Sequence, residues 1–309
     1  MNARVMASLA GGIISALLAL AAVRGLPLGG VLFWFAPFPL FAVAFGFGAQ
    51  ATWTSLGVGA LVAFVSGGTG AAVVWLLLFG LPAAALSSLA LRGGKPALSV
   101  PFALLALWPA TILAVAEAAL SGQPGGLSGA LRETMERAID QMGAPAELGT
   151  AEIVDALVRL KPLAVTIWFA MVTTLNASIA QRFMARRGLL ASEVAEWREA
   201  RLPLWYAPVA VIPALVAGLS PGEAGFFASS LAMMLAVPLV MQGLAVVHVL
   251  LPPVPPRPLI LGAMYVALMI FMVPLGLALA GLGLAEFVLN LRGRARGRGP
   301  QPGQQPPDD

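Results

Sequence analysis

Two serine motifs contain the residues whose types and spacing come nearest to those of a catalytic site. The first, 218–222 (GLSPG), matches the G-x-S-x-G pattern of hydrolase nucleophiles, which needs a strand before the serine and a helix after it. Here apolar runs that predict helices lie on both sides. Ser220, Pro221 and Glu223 then fall at the N-cap, first and third positions of the second helix, as in a capping box. We therefore predict that Ser220 caps a helix and is not a nucleophile.

The second motif, 126–129 (GLSG), resembles the serine motif of rhomboid intramembrane proteases. Those enzymes pair the serine with a histidine on a neighbouring helix, and His248 is the only histidine in this chain. Ser128 is followed by four charged residues between positions 132 and 137, and charged side chains do not readily enter hydrocarbon. The topology predicted below also puts Ser128 and His248 on opposite sides of the bilayer. We therefore expect no serine-histidine enzyme and assign no catalytic residue.

The residue types that bind most cofactors are nearly absent. The chain has no cysteine and one histidine, which excludes disulfides, thiolate nucleophiles, iron-sulfur clusters and cysteine-ligated zinc. One histidine cannot supply a two-histidine metal or haem site. The sequence therefore predicts neither a cofactor nor a metal ion.

Polar side chains inside the apolar segments are the next candidates for a binding site. They gather in two segments, at Thr166, Thr173, Thr174, Asn176 and Ser178 and at Ser229, Ser230, Gln242 and His248. The residues predicted to line a solute pocket are Thr173, Asn176, Gln242 and His248. The alternative is hydrogen bonding between helices, which contributes about 0.6 to 2 kcal/mol and needs no ligand.

Carboxylates are scarce in the apolar segments. Glu117 and Glu286 lie near segment ends, where we expect them to snorkel to the membrane interface. The lack of further carboxylates argues against a pump that relays protons through Asp or Glu.

Small residues recur every four positions along the first apolar segment, at Ala7, Gly11, Ser15 and Ala19. Such a face lets another helix backbone approach closely. We predict a helix-packing face, which either another helix of the same chain or a separate membrane-protein partner would cover.

The elements that position all these residues are predicted to be membrane helices. Of 309 residues, 59% are hydrophobic and 10% are charged, and the mean hydropathy is +0.90, whereas soluble domains carry about 25% charged residues. The net charge is +4, but the 18 Lys and Arg residues lie outside the long apolar runs. They anchor loops and give no indication of nucleic-acid binding. The expected partner of the chain is the lipid bilayer.

Nine segments approach the length of about 20 apolar residues that a helix needs to cross a bilayer. They are 5–23, 28–47, 51–66, 70–91, 99–119, 162–179, 204–219, 221–251 and 258–284. Two of them are short, so the predicted count is eight to ten. Because irregular backbone cannot face lipid, the sequence predicts an all-α polytopic transmembrane helix bundle that forms one domain, 1–291.

Two polar segments and a tail accompany the predicted bundle. The segment 122–161 carries six acidic residues and two apolar stripes, which predict two amphipathic helices on the extracytoplasmic membrane surface. The stripes are Leu127, Leu131, Met135 and Ile139, then Ile153, Val154, Leu157 and Leu160. The basic segment 182–203, with Leu190, Val194 and Trp197 on one side, predicts a cytoplasmic interfacial helix. The Arg-, Pro- and Gly-rich tail 292–309 is predicted to be disordered.

The charge distribution predicts the side of the membrane that each loop faces. With Arg4 in the cytoplasm, the basic segment 182–203 is also cytoplasmic and 122–161 is outside, as the positive-inside rule requires. The last apolar stretch, 258–291, has 34 residues, about 51 Å of helix, which is too long for one span and short for two. We predict a broken or re-entrant final element that returns the arginine tail to the cytoplasm. The membrane is predicted to be the bacterial cytoplasmic membrane.

The chain carries four local patterns: FAPFPL at 35–40, RLPLW at 201–205, MQGLAVVH at 241–248 and GLGLAE at 281–286. Together they resemble the YybS-like family of bacterial integral membrane proteins, which implies a membrane protein without an assigned function. Two positions depart from the family pattern. The segment 226–230 reads FFASS where an asparagine is frequent, and Glu286 stands where an aspartate is usual.

The first half of the chain is also similar, at the level of fold, to the substrate-binding subunits of energy-coupling-factor vitamin transporters. Their first helix packs on a partner through small residues, and the analogy carries no site.

Two functions remain open at this stage. One is a membrane protein that binds or transports a small solute, captured from the outer face beneath 122–161. The other is a non-catalytic scaffold or accessory subunit that binds another membrane protein through the first helix. The sequence identifies neither the substrate nor the partner.

Overall fold

The computed structural model describes residues 2–92, 97–123, 125–143, 151–191, 193, 199–251 and 255–297. Within these ranges the chain is helical and has no β-strand, so the predicted all-α polytopic bundle is confirmed. Seven helical stretches in the described ranges are long and apolar enough to cross a membrane. They are Ala3–Val23, Gly29–Phe47, Ala49–Ala90, Ser99–Leu120, Ala151–Arg186, Gly222–Leu250 and Met272–Leu289.

The N-terminal helices follow the predicted spans, with one interruption. Helix α1 is Ala3–Val23, and the predicted span 28–47 is divided into α2 (Gly29–Trp34) and α3 (Phe38–Phe47). Prolines at 37 and 39 lack the N–H groups that would continue the first helix. Next come α4 (Ala49–Trp75), a π-helical turn (Leu76–Gly80) and α5 (Leu81–Ala90).

The 42-residue stretch Ala49–Ala90 folds back on itself at Gly68. This residue has φ +76°, a left-handed conformation that favours glycine. Trp53 Nε1 donates a hydrogen bond to Ser88 Oγ at 2.9 Å, although 35 residues of straight helix would separate them by about 52 Å. The stretch is therefore a hairpin of two antiparallel spans, in agreement with the predicted segments 51–66 and 70–91.

The small-residue face of α1 lies against α3 and α4 of the same chain. Gly11, Ser15 and Ala19 are buried and Ala7 is half-buried. A Cβ added to the neighbouring Gly12 would lie 2.3 Å from the Ser55 backbone oxygen, so the two backbones touch. Trp75 Nε1, on the returning half of α4, donates a hydrogen bond to Ser15 Oγ at 3.2 Å. The chain itself therefore covers this face.

Within its described residues, the acidic segment contains one separate helix and not two. Helix α6 is Ser99–Leu120, α7 is Gly126–Gln141 and α8 is Ala151–Arg186. α7 matches the first predicted amphipathic helix, but 153–160 is the beginning of the 36-residue α8. Val154 and Val158 of α8 pack against Ile139 of α7. The prediction of a second surface helix was wrong because 153–160 continues into a membrane helix, and of its predicted stripe only Val154 packs on α7, whereas Leu157 and Leu160 are exposed.

The basic segment also differs from its prediction. α8 continues to Arg186, so Arg182 and Arg186 belong to that helix and not to an interfacial one. After α8, the backbone N–H of Ala191 donates to the Phe45 carbonyl, and Leu190 packs on the core. Val194 and Trp197 lie outside the described residues.

Helices α9 (Tyr206–Leu219) and α10 (Gly222–Leu250) form a second hairpin. The Tyr206 hydroxyl donates to the Leu235 carbonyl at 2.9 Å, which fixes the antiparallel register. The predicted capping box is wrong. Ser220 ends α9 with extended backbone, Pro221 takes the N-cap position of α10 without a side-chain cap, and Glu223 accepts a hydrogen bond from Ser128 of α7 instead.

The C-terminal stretch is broken, as its length predicts. Helix α11 is Arg257–Ile270, α12 is Met272–Leu289, and the two are separated by Phe271. No residue of α11 is buried, whereas α12 crosses α10 at two glycines. A Cβ on Gly243 would lie 2.0 Å from the Leu279 backbone oxygen, and one on Gly283 would lie 2.1 Å from that of Leu239. Only glycine permits this separation of the backbones.

The tail predicted to be disordered, 292–309, includes residues that are helical in the structure. After Asn290, which has φ +44°, helix α13 covers Leu291–Gly297, and Arg292 is 1% exposed. Its side chain pairs with Glu286, which is 4% exposed. Glu286 therefore does not snorkel to the interface, because its counter-charge lies within the fold. Residues 298–309 lie outside the described residues.

Candidate functional site

The four predicted pocket residues do not share one site. Thr173 and Asn176 lie on α8, and Gln242 and His248 lie on α10. The Asn176 amide nitrogen donates to the carbonyls of Trp34 and Val172, both at 2.8 Å. Asn176 thus attaches the middle of α8 to the end of α2. This is the inter-helix bonding that was the alternative to a pocket.

Both polar atoms of the Gln242 side-chain amide form hydrogen bonds within the chain. Its Oε1 accepts from the Leu202 backbone N–H, and its Nε2 donates to the Gly283 carbonyl, each at 2.8 Å. The side chain is 1% exposed. It therefore joins the loop before α9 to the crossing of α10 and α12.

His248 belongs to the far end of α10. Its Nδ1 lies 2.8 Å from the Leu244 carbonyl, and its Nε2 lies 3.3 Å from the Tyr265 hydroxyl. Ser128 contacts Glu223 near the beginning of the same helix. The 25 residues between Glu223 and His248 correspond to about 38 Å of helix, so Ser128 and His248 are at opposite ends of the bundle.

Thr173 is the one predicted pocket residue that lines either of the two cavities described here. The first cavity is narrow and lies between α3, α5, α6 and α8, with Phe41, Leu86 and Gln181 in its wall. Besides Thr173, its lining contains the polar residues Ser87, Gln181 and Glu193, but the cavity is too narrow for more than a very small ligand.

A larger cleft lies beneath α7, with a volume of about 200 Å³, which is below the range of about 300–1,000 Å³ typical of sites for drug-sized ligands and leaves room for a small ligand only. We call it the α7 cleft. Its walls are α6 and α8, its roof is α7, and its deep end is formed by the π-helical turn and α10. The lining residues are Leu77, Leu78, Trp108, Pro109, Ile112, Leu113, Ala116, Leu127, Leu131, Lys161, Pro162, Val165, Trp168, Phe169 and Met234.

Backbone irregularities border the α7 cleft on three sides. Pro109 and Pro162 lie inside α6 and α8, and each removes one helical hydrogen bond and bends its helix. Opposite them is the π-helical turn Leu76–Gly80, a geometry that occurs often at functional sites. Trp108 Nε1 donates to the Leu77 carbonyl at 2.9 Å, which holds α6 against this turn.

Aromatic rings support the deep end. The Trp168 ring stacks on Phe33 with 5.9 Å between centroids and meets Phe79 edge-on at 6.4 Å. Phe33 and Phe79 are 4.9 Å apart. Offset and edge-on pairs of this kind are stabilising. They tie the Trp168 face of α8 to α2 and the π-helical turn, so this wall of the cleft is supported from behind.

Two polar contacts fasten the roof. Arg132 of α7 forms an ion pair with Asp155 of α8, and Ser128 of α7 donates to Glu223 of α10. Below them, Leu127 is 3% exposed and contributes, with Leu131, the apolar underside. α7 therefore covers the cleft without filling it.

Among the residues that the structure describes, Lys161 is the one charged residue in the lining. It is half-buried and lies where α8 passes beneath α7. Among the described residues, no carboxylate oxygen lies within 4.0 Å of its ammonium nitrogen. The cleft thus has an apolar interior and one positive charge at its α7 end.

Metal chemistry has no recognisable site in the described part of the chain. There, no group of three or more His, Asp or Glu side chains is arranged to hold a metal ion.

The chain belongs to the family described as predicted membrane protein (DUF2232), whose family model matches residues 13–286. The match includes all the residues that line the α7 cleft. No curated protein and no solved structure matches the chain.

Proposed function

We propose that this DUF2232 protein binds a small apolar or amphiphilic solute in the α7 cleft, as a solute-binding or transport-type protein of the bacterial cytoplasmic membrane. The observation that carries the proposal is the cleft itself, which has apolar walls, a roof held by two polar contacts, and room for a small ligand. Its position beneath α7 agrees with capture from the side that the acidic segment faces.

One resemblance supports this proposal. The first half of the chain is similar to the substrate-binding subunits of energy-coupling-factor transporters, which is an analogy of fold. The patterns shared with the YybS-like family imply no function and do not bear on the cleft.

The positions of the polar residues favour binding of a solute without catalysis. Ser128 is hydrogen-bonded to Glu223, and His248 lies at the other end of α10, next to Tyr265. A serine nucleophile needs its base within hydrogen-bond reach, and neither serine motif has a histidine near it.

The alternative function is a scaffold that binds a partner through the small-residue face of α1. In this fold that face is already covered. A partner there would have to displace α4, whose backbone already touches Gly12.

A matched pair of substitutions on α6 tests the proposed site. Ala116 lines the α7 cleft, and Ala114, two residues earlier, is exposed and does not line it. Ala116→Trp should fill the cleft, whereas Ala114→Trp should extend into lipid or detergent. Purified wild-type protein is first screened by thermal shift against fatty acids, alkyl phosphates, isoprenoids, vitamins and amino acids, because a ligand stabilises the folded state that binds it.

The expected result is that a compound raises the melting temperature of the wild type and of Ala114→Trp but not of Ala116→Trp. Equal stabilisation of Ala116→Trp would remove the α7 cleft as the binding site. A screen in which no compound stabilises the wild type would contradict solute binding.

A further inference from the structure

We infer that the α7 cleft takes a single-chain amphiphile with an anionic head group, a carboxylate or phosphate monoester, which binds at Lys161 while its apolar chain lies between α6 and α8. This inference rests on the proposed function and specifies its ligand. Of the fifteen described residues that line the cleft, fourteen are apolar, aromatic or proline, and Lys161 is the exception. The lining is therefore itself amphiphilic, with its charge at one end.

The distribution of the lining along α8 separates the charged end from the apolar end. Lys161, Val165, Trp168 and Phe169 all line the cleft, at helical spacing on one face. From Lys161 to Phe169 the helix advances about 12 Å. A ligand bound at Lys161 would therefore place its chain, and not a second polar group, against Trp168 and Phe169.

The deep end offers little to a polar group. Trp108 already donates its Nε1 hydrogen to the Leu77 carbonyl, and Met234 and Phe169 are buried apolar residues. A polar group placed there would lose its hydrogen bonds to water without replacement, which is unfavourable by several kcal/mol in an apolar environment. The chain of the ligand must be apolar over this length.

The ammonium of Lys161 favours an anion over a neutral head group. Two acidic residues at this end of the bundle have other partners: Asp155 pairs with Arg132, and Glu223 accepts from Ser128. A third, Glu117 of α6, forms no ion pair with Lys161 within 4.0 Å. Since no described carboxylate pairs with it, the half-buried ammonium gains a charge-assisted hydrogen bond when an anionic ligand arrives. The volume of about 200 Å³ leaves no room for two chains, which distinguishes this ligand from a two-chain bilayer phospholipid.

The test compares ligands that share a chain and differ in charge. Dodecyl phosphate, dodecanol and dodecyltrimethylammonium are titrated into purified protein in a maltoside detergent, and binding is read from tryptophan fluorescence and the melting temperature. The variants are Lys161→Ala, Lys161→Arg and Lys161→Glu. Arg159→Ala is the matched control, because Arg159 is an exposed cation two residues away that does not line the cleft.

We expect Lys161→Ala to weaken dodecyl phosphate binding by about tenfold or more, since a hydrogen bond to a charged group contributes roughly 1.5–3 kcal/mol. Arg159→Ala and Lys161→Arg should stay within about threefold of the wild type, and Lys161→Glu should prefer the cationic ligand. Dodecanol binding should be weaker in the wild type and unchanged by Lys161→Ala. The melting temperature without ligand reports whether each variant is folded.

Three outcomes would overturn the inference. If the wild type binds dodecanol and dodecyl phosphate equally, and Ala116→Trp abolishes both, the proposed function stands and the anionic head group is wrong. If phosphatidylglycerol, but not phosphatidylcholine, displaces dodecyl phosphate completely, the cleft belongs to a bilayer phospholipid and not to a single-chain ligand. Failure of all three ligands in every variant would count against both proposals.

Discussion

Glu286 and Arg292 form an ion pair across the turn at Asn290, with 2.9 Å between Arg292 Nε and Glu286 Oε1. Their side chains are 3% and 1% exposed. Arg292 Nη1 also donates to the Ala200 carbonyl at 3.0 Å, and Arg201 donates to Asn290 Oδ1 at 2.8 Å. The pair therefore joins the last two helices to the loop before α9.

Removal of this carboxylate should destabilise the protein strongly. Glu286→Ala leaves the Arg292 guanidinium buried without this counter-charge, and breaking a buried pair in this way typically lowers stability by about 3–5 kcal/mol. Unfolding by SDS titration in a maltoside detergent measures the change. The control is Glu136→Ala, because that carboxylate is 53% exposed in a pair with Arg132 at 3.9 Å, and its loss should stay within about 1 kcal/mol. Equal stability of the two variants would contradict a buried pair.

The crossing of α10 and α12 should depend on Gly283 and not on Gly281. Gly283→Ala places a methyl group 2.1 Å from the Leu239 backbone oxygen, so the helices must separate, at a loss of about 1–3 kcal/mol or more. Nothing lies within 4 Å of a Cβ on Gly281, and Gly281→Ala should be neutral or stabilising by up to about 1 kcal/mol. Melting temperatures of the two variants decide the matter, and an unaffected Gly283→Ala would show that the backbones are farther apart.

Ser220 should tolerate loss of its hydroxyl. It does not cap α10, so Ser220→Ala should change stability by less than about 0.5 kcal/mol, whereas loss of a true N-cap costs about 0.5–2 kcal/mol. A fluorophosphonate probe should label neither Ser220 nor Ser128. Labelling of either serine would reopen the possibility of a nucleophile.

The natural absence of cysteine makes sidedness directly measurable. Glu136→Cys, Arg187→Cys and Arg294→Cys each introduce one thiol at an exposed position. With an impermeant maleimide we expect Glu136→Cys to react in intact cells and the other two only after the membrane is opened. This follows from the positive-inside rule and from Arg292 lying against Ala200. Reaction of Arg294→Cys in intact cells would place the tail outside.

Local patterns predicted those features that depend on few residues. The apolar segments and the small-residue face of α1 follow from composition and helical spacing, and a break within 258–291 follows from the length of that stretch; the structure contains each of them. The position of the break, at Phe271, could not be predicted from the length. The capping box was wrong because α10 begins one residue later than expected, and propensity alone does not define a helix end so closely.

The ion pair and the α7 cleft could not be predicted in the same way. Whether Glu286 is at an interface or inside the fold depends on the turn at Asn290 and on the loop that packs over it. The lining of the cleft comes from α6, α7, α8, α10 and the π-helical turn, and its apolar residues are of the same types as those that face lipid. A weak indication was present in Lys161, a cation placed directly before Pro162 at the beginning of an apolar run.

The hairpin at Gly68 has a consequence for membrane insertion. Between residues 49 and 90 the chain has no charged residue that would mark a loop for the insertion machinery. A straight helix of that length, about 63 Å, would cross a 30 Å hydrocarbon core only once, and every later helix would then have the opposite orientation. The arginines at the end of α8 would be translocated, against the positive-inside rule. The turn at Gly68 and the arginines more than a hundred residues later therefore both affect whether the chain crosses the membrane an odd or an even number of times before α8 ends.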